Sequence, residues 1–279
     1  MENSNDPSQA YEIIQQIGSG TYGKVYLAKC SESNQIVAIK ICKQLDTTVQ
    51  REINILSKYQ HTNLIQLYCY FSVNSSFWIV MEYGGKDLYE NIKSSYPYSL
   101  TDLKYIIKNI LQAIEFLHSK GIIYRDLNPG NILISDEKNV KLVDFGLTKP
   151  DEQIPHSPLI GSKSYFAPEI IIHSSSYNKS CDLWSVGCII CSMLIGNNFF
   201  KPDNDLELFI QQLKIVGTPS KKDWPEIPDN IQIPHYFSQL GHIFSDINSD
   251  LFDLIKRLLT FSPSKRISAY DALHHPFFN

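Results

Sequence analysis

The chain has 279 residues, 43% of them hydrophobic, and a formal net charge of −4. This length suits one large domain or two packed lobes, and a charge so close to neutral favours neither a nucleic-acid surface nor an acidic tail. The first ten residues lack a basic start and an apolar core, and the longest apolar run, around 186–195, is far shorter than the ~20 residues that cross a bilayer. We therefore expect neither a secretory signal nor a membrane span.

The six cysteines predict reduced thiols rather than a metal site. Their spacing does not match a His/Cys zinc cluster, and Cys188 and Cys191 bracket Ile189 and Ile190 within an apolar helical pattern. Packing explains that pair best. Reduced cysteines are typical of intracellular proteins, so we expect a location in the cytoplasm and/or nucleus.

In chain order, residues 1–10 are expected to be a flexible segment, and the sequence then predicts strands. A helix is predicted over 47–58, where Val49, Ile53 and Leu56 share one face. The predicted strands are short, rich in β-branched and aromatic residues and separated by glycine or polar clusters; they cover 11–17, 24–30, 35–42, 64–71 and 77–83. These elements indicate a small, sheet-rich lobe.

After Gly84 and Gly85 the pattern becomes helical. A long helix is predicted with a capping start at Ser99 and Asp102 and a stop at Gly121. Further helical patterns cover 179–196, 206–215, 250–259 and 268–274, and long loops are expected over 150–164 and 218–248. The expected fold class is α+β, with a lobe over about 11–83, a hinge over 82–87 and a larger, mostly α lobe over about 88–278.

A glycine-rich segment, Gly18-Ser-Gly20-Thr21-Tyr22-Gly23, lies between two predicted strands. Glycines allow the backbone to approach phosphate oxygens closely, although an ordinary glycine-rich hairpin would also have this sequence. The strand-like residues 24–28 that follow exclude a dinucleotide-binding turn, which requires a helix at this point.

The most informative stretch is Tyr-Arg-Asp-Leu-Asn-Pro-Gly-Asn at 124–131, followed by Asp144-Phe-Gly. It resembles the catalytic loop and the metal-binding loop of eukaryotic protein kinases. The resemblance implies that Asp126 accepts the proton of a hydroxyl nucleophile, and that Asn131 and Asp144 hold Mg²⁺. The implied fold is the two-lobed protein kinase fold.

The resemblance extends to the nucleotide-binding end of the chain. Lys40, which ends the segment Val-Ala-Ile-Lys, would hold the α- and β-phosphates of ATP, and Glu52 on the next helix would be its acidic partner. The hinge would bond the adenine edge through its backbone, apolar residues would enclose the ring, and Asp87 would reach the ribose. The implied nucleotide-binding residues are Ile17, Gly18, Gly20, Gly23, Val25, Ala38, Lys40, Glu82, Gly84, Asp87 and Leu133.

Other segments resemble cyclin-dependent kinases and the wider group to which these belong, the CMGC kinases. They are the helix segment 50–56, Gly217-Thr-Pro, and the ending from Lys265 to Phe278; the resemblance covers about 11–278. It implies an ATP- and Mg²⁺-dependent serine/threonine kinase that acts on proteins, with room for a cyclin-type activating subunit and an upstream activating kinase. It implies no nucleic-acid or membrane partner.

The same resemblance implies structural and regulatory contacts. Glu169 would pair with Arg266, and Asp182 would bond the catalytic-loop backbone. An activation-loop phosphate on Ser157 would lie among three cations, and phosphates on the glycine loop would repel ATP. The implied regulatory positions are Thr21, Tyr22, Ser157, Arg51, Arg125 and Lys149.

The catalytic loop departs from the family pattern at Asn128 and, more mildly, at Tyr124, which stands in place of the usual histidine. Asn128 replaces the lysine that contacts the transferred phosphate, and loss of one charged contact is expected to cost roughly 2–4 kcal/mol, or about 10²–10³ in rate. This leaves two hypotheses, an active but slow kinase or a nucleotide-binding pseudokinase that acts as a scaffold. The intact Lys40, Glu52, Asp126, Asn131 and Asp144 favour the active kinase.

The second departure concerns substrate choice. Residues 164–166 are Ser-Tyr-Phe where proline-directed relatives have Trp-Tyr-Arg, which weakens the expectation of a proline preference. Gly161-Ser162 still resembles the serine/threonine type, whose hydroxyl bonds the catalytic Asp, and this disfavours a tyrosine acceptor.

Overall fold

The structure is a computed structural model. The chain folds into two compact units. The first unit comprises 1–86 and 133–147, and the second comprises 87–132 and 148–279. The residues that the structure describes are 7–20, 23–151, 161–172, 178–228 and 232–279.

The strands and helices follow in chain order. The strands are β1 Tyr11–Gly20, β2 Gly23–Cys30, β3 Ile36–Cys42, β4 Leu67–Val73, β5 Ser76–Glu82, β6 Lys86–Asp87, β7 Ile122–Ile123, β8 Ile132–Ile134, β9 Val140–Leu142 and β10 Lys149–Pro150. The helices are α1 Thr47–Lys58, α2 Leu88–Ser95, α3 Leu100–Ser119, α4 Pro168–Ile171, α5 Ser180–Ile195, α6 Asp205–Val216, α7 Leu240–Ile243, α8 Ser249–Leu258 and α9 Ala269–Leu273. Among the described residues, no helix combines the length and the apolar character needed to span a membrane.

The first unit is built on one antiparallel sheet of five strands in the order β1-β2-β3-β5-β4. Alternate side chains on these strands turn to one face, and Ala28, Val37, Ile39 and Val80 form a buried cluster there. Helix α1 has the predicted bounds. Its N-terminus is capped by Asp46, whose carboxylate accepts the Thr48 and Val49 backbone N–H groups at 2.9 Å.

The segment 133–147 belongs to the first unit, although the sequence placed all of 88–278 in one lobe. Leu142 forms a parallel bridge with Leu64, the Leu142 N–H donates to the Asn63 carbonyl at 2.8 Å, and the Ile65 N–H donates to the Leu142 carbonyl at 3.0 Å. These bonds also correct the predicted strand 64–71. Its first residues pair with β9, so β4 begins only at Leu67.

The second unit is mostly helical, as predicted. Helix α3 begins at the predicted cap, where the Ser99 hydroxyl accepts the Asp102 N–H at 3.0 Å. Helix α5 is buried from Ser180 to Met193, so it forms the centre of this unit. Gly187 allows α8 to approach, because a Cβ there would lie 2.8 Å from Leu259 Cδ2.

Three short helices lie where none was predicted: α2, α4 and α7. Asp87, predicted to reach a ribose, caps α2 by accepting the Glu90 N–H at 2.9 Å. Helix α4 follows the predicted loop 150–164, and α7 lies inside the predicted loop 218–248.

Candidate active site

The first unit contains a buried ion pair on the sheet. Lys40 lies on β3 and Glu52 on α1, and Lys40 Nζ is 2.6 Å from Glu52 Oε2. Lys40 is 8% exposed and Glu52 is 2% exposed. The predicted partnership of these two residues is therefore confirmed.

Asp144 is the second acid beside the Lys40 ammonium, with Oδ1 3.6 Å from Nζ. Burial alone lowers the pKa of Lys40, but the charges of Glu52 and Asp144 outweigh burial, so the pKa of the ammonium is raised above its ordinary value. Lys40 is therefore a fixed cation at neutral pH, placed within β3 and next to the partly exposed carboxylate of Asp144.

The turn at Asp144-Phe145-Gly146 is held against α1. Asp144 has a left-handed backbone with φ of 56°, and Phe145 is fully buried. Arg51 Nη1 donates to the Gly146 carbonyl, and a Cβ at Gly146 would collide with Thr48 Cγ2. Close packing against α1 thus fixes the loop that carries Asp144.

The glycine-rich segment is a hairpin, as the strand-like residues after it predict. Gly18 pairs with Val25, and Gly20 pairs with Gly23. A Cβ at Gly23 would lie 2.5 Å from the carbonyl oxygen of Ile41, so β3 leaves no room for a side chain. No described residue lies within 4 Å of a Cβ built at Gly20, so packing against the described residues does not require glycine there.

The other predicted nucleotide residues are divided between the units. Ile17 is 41% exposed on β1, and Ala38 is buried on β3, where it pairs with Met81. A Cβ at Gly84 would lie 2.8 Å from Leu133 Cδ1, so Gly84 and Leu133 are in close contact. The predicted nucleotide-binding residues in the first unit are Ile17, Gly18, Gly20, Gly23, Val25, Ala38, Lys40, Glu82, Gly84 and Leu133, and Asp87 is in the second.

The second unit contains the predicted catalytic loop. Asp182, on α5 and 1% exposed, accepts the backbone N–H groups of Tyr124 at 2.9 Å and Arg125 at 2.8 Å. The predicted bond from Asp182 to the loop backbone is therefore confirmed. Arg125 has φ of 76°, and the side chain of Tyr124 is fully buried, so the loop is anchored just before Asp126.

The Asp126 carboxylate accepts hydrogen bonds at both oxygens. Oδ1 accepts the Ser162 N–H at 3.0 Å and Asn128 Nδ2 at 3.1 Å, and Oδ2 accepts Asn131 Nδ2 at 3.0 Å. Gly161 has φ of 127°, and a Cβ there would lie 2.8 Å from Asp126 Oδ1. The chain beside Asp126 can therefore approach only as glycine.

Asn128 lies within this loop and is 5% exposed. Its Nδ2 donates to the Asp126 carbonyl at 2.9 Å as well as to the carboxylate. Its Oδ1 accepts the Gly130 N–H at 2.9 Å and so caps the short 3-10 turn Pro129–Asn131.

Asn131 and Asp144 provide oxygen donors of the kind that Mg²⁺ prefers. Asn131 Nδ2 is engaged by the Asp126 carbonyl at 2.9 Å and by the Asp126 carboxylate, so the amide oxygen is the atom left to face a cation. The side chain of Asp144 is 37% exposed. Each residue thus offers one oxygen ligand of a kind that suits Mg²⁺, Asn131 in the second unit and Asp144 in the first.

A second buried ion pair, in the second unit, is structural. Arg266 Nη1 is 2.7 Å from Glu169 Oε1 and Nη2 is 2.9 Å from Glu169 Oε2, and both side chains are fully buried. The predicted pairing of Glu169 with Arg266 is confirmed. It ties the segment that follows Ser162 to the end of the chain.

The regulatory roles stay predictions. Thr21, Tyr22 and Ser157 lie outside the described residues. Arg51 donates to Gly146 in the first unit, whereas the other two predicted cations are in the second. There β10 pairs with β7, with Lys149 opposite Ile123 and so two residues from Arg125.

One supporting residue was not predicted: His118 Nε2 is 2.8 Å from Asp182 Oδ2. For Ser162 the resemblance implied a bond from the hydroxyl to Asp126, whereas the bond in the structure comes from the Ser162 backbone N–H. His118 was detectable only as a polar residue on the apolar face of α3, where a buried partner is usual. No local pattern marks a backbone N–H such as that of Ser162.

Comparisons with known proteins agree with this geometry. Residues 11–278 match the family model described as "Protein kinase domain". The probable cyclin-dependent kinase 10 of Dictyostelium discoideum is 34% identical over 292 residues, covering 96% of this chain and 79% of the relative. Cyclin-dependent kinase 7 of the same organism is 34% identical over 287 residues with the same coverage. The serine/threonine-protein kinase MAK of Mus musculus is 31% identical over 283 residues, covering 96% of this chain and 45% of the relative.

These relatives are kinases, and the pseudokinase alternative finds no support among them. The chain therefore belongs to the protein kinase family, as a serine/threonine kinase of the cyclin-dependent type.

Proposed function

We propose that this kinase transfers the γ-phosphate of ATP to serine and threonine hydroxyls of protein substrates, with Asp126 as the catalytic acid–base residue. Asp126 orients the acceptor hydroxyl and takes its proton. Lys40, held by Glu52, neutralises the α- and β-phosphates. Asn131 and Asp144 hold Mg²⁺, which supplies positive charge at the phosphate oxygens when it is bound.

The observation that carries this proposal is the way Asp126 is held. Its two carboxylate oxygens accept three hydrogen bonds from Ser162, Asn128 and Asn131, all at 3.0–3.1 Å. A carboxylate fixed in this way does not have to reorganise when a hydroxyl is presented to it. Fixed orientation and fixed charge are the main sources of catalysis in phosphoryl transfer.

The buried ion pair in the first unit supports the role of Lys40. A lysine that is 8% exposed and still charged has a partner that compensates for its burial. Glu52, at 2.6 Å, is that partner, and the partly exposed Asp144 at 3.6 Å leaves the ammonium within reach of a second anion. A phosphate is the anion that the proposal places there.

The proposal includes partners of the kind that the relatives' names suggest. A cyclin-type subunit would bind the kinase, and an upstream kinase would phosphorylate Ser157. Phosphorylation of Thr21 and Tyr22 would inhibit it. The six free cysteines support a reducing compartment, and we place the kinase in the cytoplasm and/or nucleus.

For the substrate, the proposal includes no requirement for proline after the phosphorylated residue. Phe166 stands where proline-directed relatives have arginine; it is 5% exposed, and its carbonyl accepts Gln212 Nε2 at 2.8 Å. An apolar, buried side chain cannot supply the contacts of an arginine at this position. Peptides that differ only in proline or alanine after the acceptor should be phosphorylated at similar rates, and a strong preference for proline would contradict this part of the proposal.

The test of the reaction is phosphate transfer from labelled ATP to a generic basic protein, followed by identification of the labelled amino acid. Label on serine and threonine, lost when Mg²⁺ is chelated and restored when it is added back, is the expected result. Label only on tyrosine, or transfer that is insensitive to Mg²⁺ removal, would overturn the proposal.

A further inference from the structure

We propose that Asn128 is a positioning residue, which holds the Asp126 carboxylate and begins the turn that carries Asn131. It is not a weak substitute for a phosphate-binding lysine. The inference rests on the proposed role of Asp126 and deepens it.

The amide nitrogen of Asn128 is fully used within the loop. It has two N–H groups, and they donate to the Asp126 carbonyl at 2.9 Å and to Asp126 Oδ1 at 3.1 Å. The residue is 5% exposed. No N–H of this side chain is left for a phosphate oxygen, so its contribution must pass through Asp126.

The amide oxygen of Asn128 has a separate task. It accepts the Gly130 N–H at 2.9 Å, and the Asn128 carbonyl accepts the Asn131 N–H at 3.0 Å. Asn128 therefore caps the turn that places Asn131. A lysine ammonium has donors but no acceptor, so the family's usual residue cannot make the bond to Gly130.

Asn128 and Asn131 act on Asp126 in parallel. Each Nδ2 donates to the Asp126 carbonyl at 2.9 Å, and each donates to a different carboxylate oxygen, at 3.1 and 3.0 Å. The two amides donate to opposite oxygens, and the Ser162 N–H donates to Oδ1 as well, so together the three bonds restrain the rotation of the carboxylate. Asn128 thus adds a restraint on the Asp126 carboxylate, although it lacks the positive charge of the usual lysine.

The test separates positioning from phosphate binding and from simple stability. In Asn128→Ala we expect kcat to fall about 10- to 100-fold, the loss typical of a misplaced catalytic group. The KM for ATP and the ratio of ATP to ADP affinity should both stay within about twofold, because a residue that does not touch the γ-phosphate cannot distinguish the two nucleotides. Asn128→Asp keeps the acceptor for Gly130 but loses the donor to Asp126, and kcat should fall at least as far.

A matched control is Asn248→Ala, since Asn248 caps α8 by accepting the Asp250 and Leu251 N–H groups at 3.0 Å. It should lower Tm as a lost cap does and leave kcat unchanged. If Asn128→Ala lowers the ATP-to-ADP affinity ratio tenfold or more, or if Asn128→Asp retains wild-type kcat, the inference is wrong.

Failure of the proposed function gives a different pattern. If Asp126→Asn keeps wild-type transfer, the role of Asp126 itself is wrong. If Asp126→Asn abolishes transfer while Asn128→Ala keeps full kcat, only the positioning inference fails.

Discussion

The ion pair between Lys40 and Glu52 gives the most quantitative prediction. We consider Glu52→Leu, Lys40→Met and the double variant, which replaces the pair by apolar side chains of similar length. Breaking a buried pair from one side typically costs about 3–5 kcal/mol, because the remaining charge stays buried. Two unit charges at an effective dielectric constant of about 20 attract by about 6 kcal/mol at the 2.6 Å to Glu52, and by about 5 kcal/mol at the 3.6 Å to Asp144.

Asp144 therefore still compensates Lys40 after Glu52 is removed, although water screens this 37% exposed carboxylate. We expect Glu52→Leu to cost near the low end of that range, about 3 kcal/mol. For a domain of 150–250 residues this corresponds to a Tm that falls by roughly 6–12 °C. The double variant should lie within about 1 kcal/mol of wild type, because no buried charge is left unpaired.

Thermal unfolding followed by circular dichroism measures these shifts, and phosphate transfer measures activity in the same samples. All three variants should lose at least about 100-fold in kcat/KM, including the stable double variant, because the phosphate-binding cation or its partner is gone. If the double variant loses as much free energy of unfolding as the two single variants added together, the reasoning is refuted. A double variant with wild-type activity would also refute it.

Further predictions concern pH, the glycine hairpin and the second ion pair. Burial raises the pKa of the Glu52 carboxyl, and the charge of Lys40 opposes this shift. In Lys40→Met the raised pKa means that the carboxyl stabilises the folded state at low pH and that this contribution is lost as pH rises. The Tm of Lys40→Met relative to that of wild type should therefore be higher at pH 5 than at pH 8, and a Tm difference that is the same at both pH values would contradict this. Gly23→Ala should lower the free energy of unfolding by about 1–3 kcal/mol, because its Cβ would lie 2.5 Å from the Ile41 carbonyl oxygen. Gly20→Ala should leave Tm unchanged and raise the KM for ATP. Equal effects of the two variants on Tm would contradict this prediction. Glu169→Ala should lower the free energy of unfolding by about 3–5 kcal/mol, because it leaves the fully buried guanidinium of Arg266 unpaired. Each kcal/mol is expected to lower Tm by ~2–4 °C. A Tm within about 2 °C of wild type would therefore count against this prediction.

The parts of the fold that local patterns determine were predicted well. Helix α1 has the predicted bounds because a capping aspartate precedes it and its apolar residues share one face. Helix α3 begins at the predicted serine for the same reason. Helix α2 was missed because only Leu88 and Ile92 are buried in eight residues, which is too few to produce a period.

The errors arise where distant residues decide the structure. Leu64 and Ile65 look like the start of a strand, but they pair with Leu142, and no local pattern shows this. The segment 133–147 joined the first unit for the same reason.

For the candidate active site, the sequence named the candidate residues but not how they are held. Lys40 and Glu52 were paired correctly because each lies at a recognisable position on its own element. On Asp126 the resemblance implied a bond from the Ser162 hydroxyl, but the donor is the backbone N–H of Ser162, 36 residues away in the sequence. Asn128 was expected to slow catalysis because it lacks the charge of the usual lysine. The hydrogen bonds made by both its amide nitrogen and its amide oxygen became visible only in the structure.

The most direct measurement of the central claim is the rate of γ-phosphate transfer by wild type and Asp126→Asn, with Asp136→Asn as the control because Asp136 is exposed in a loop. We predict transfer to serine or threonine by the wild type and by the control, and a rate about 10²–10⁴-fold lower for Asp126→Asn, as removal of an acid–base group gives. A wild type that transfers no phosphate, even with a cyclin-type subunit and an activating kinase present, would contradict the account, and so would an Asp126→Asn variant as active as the control.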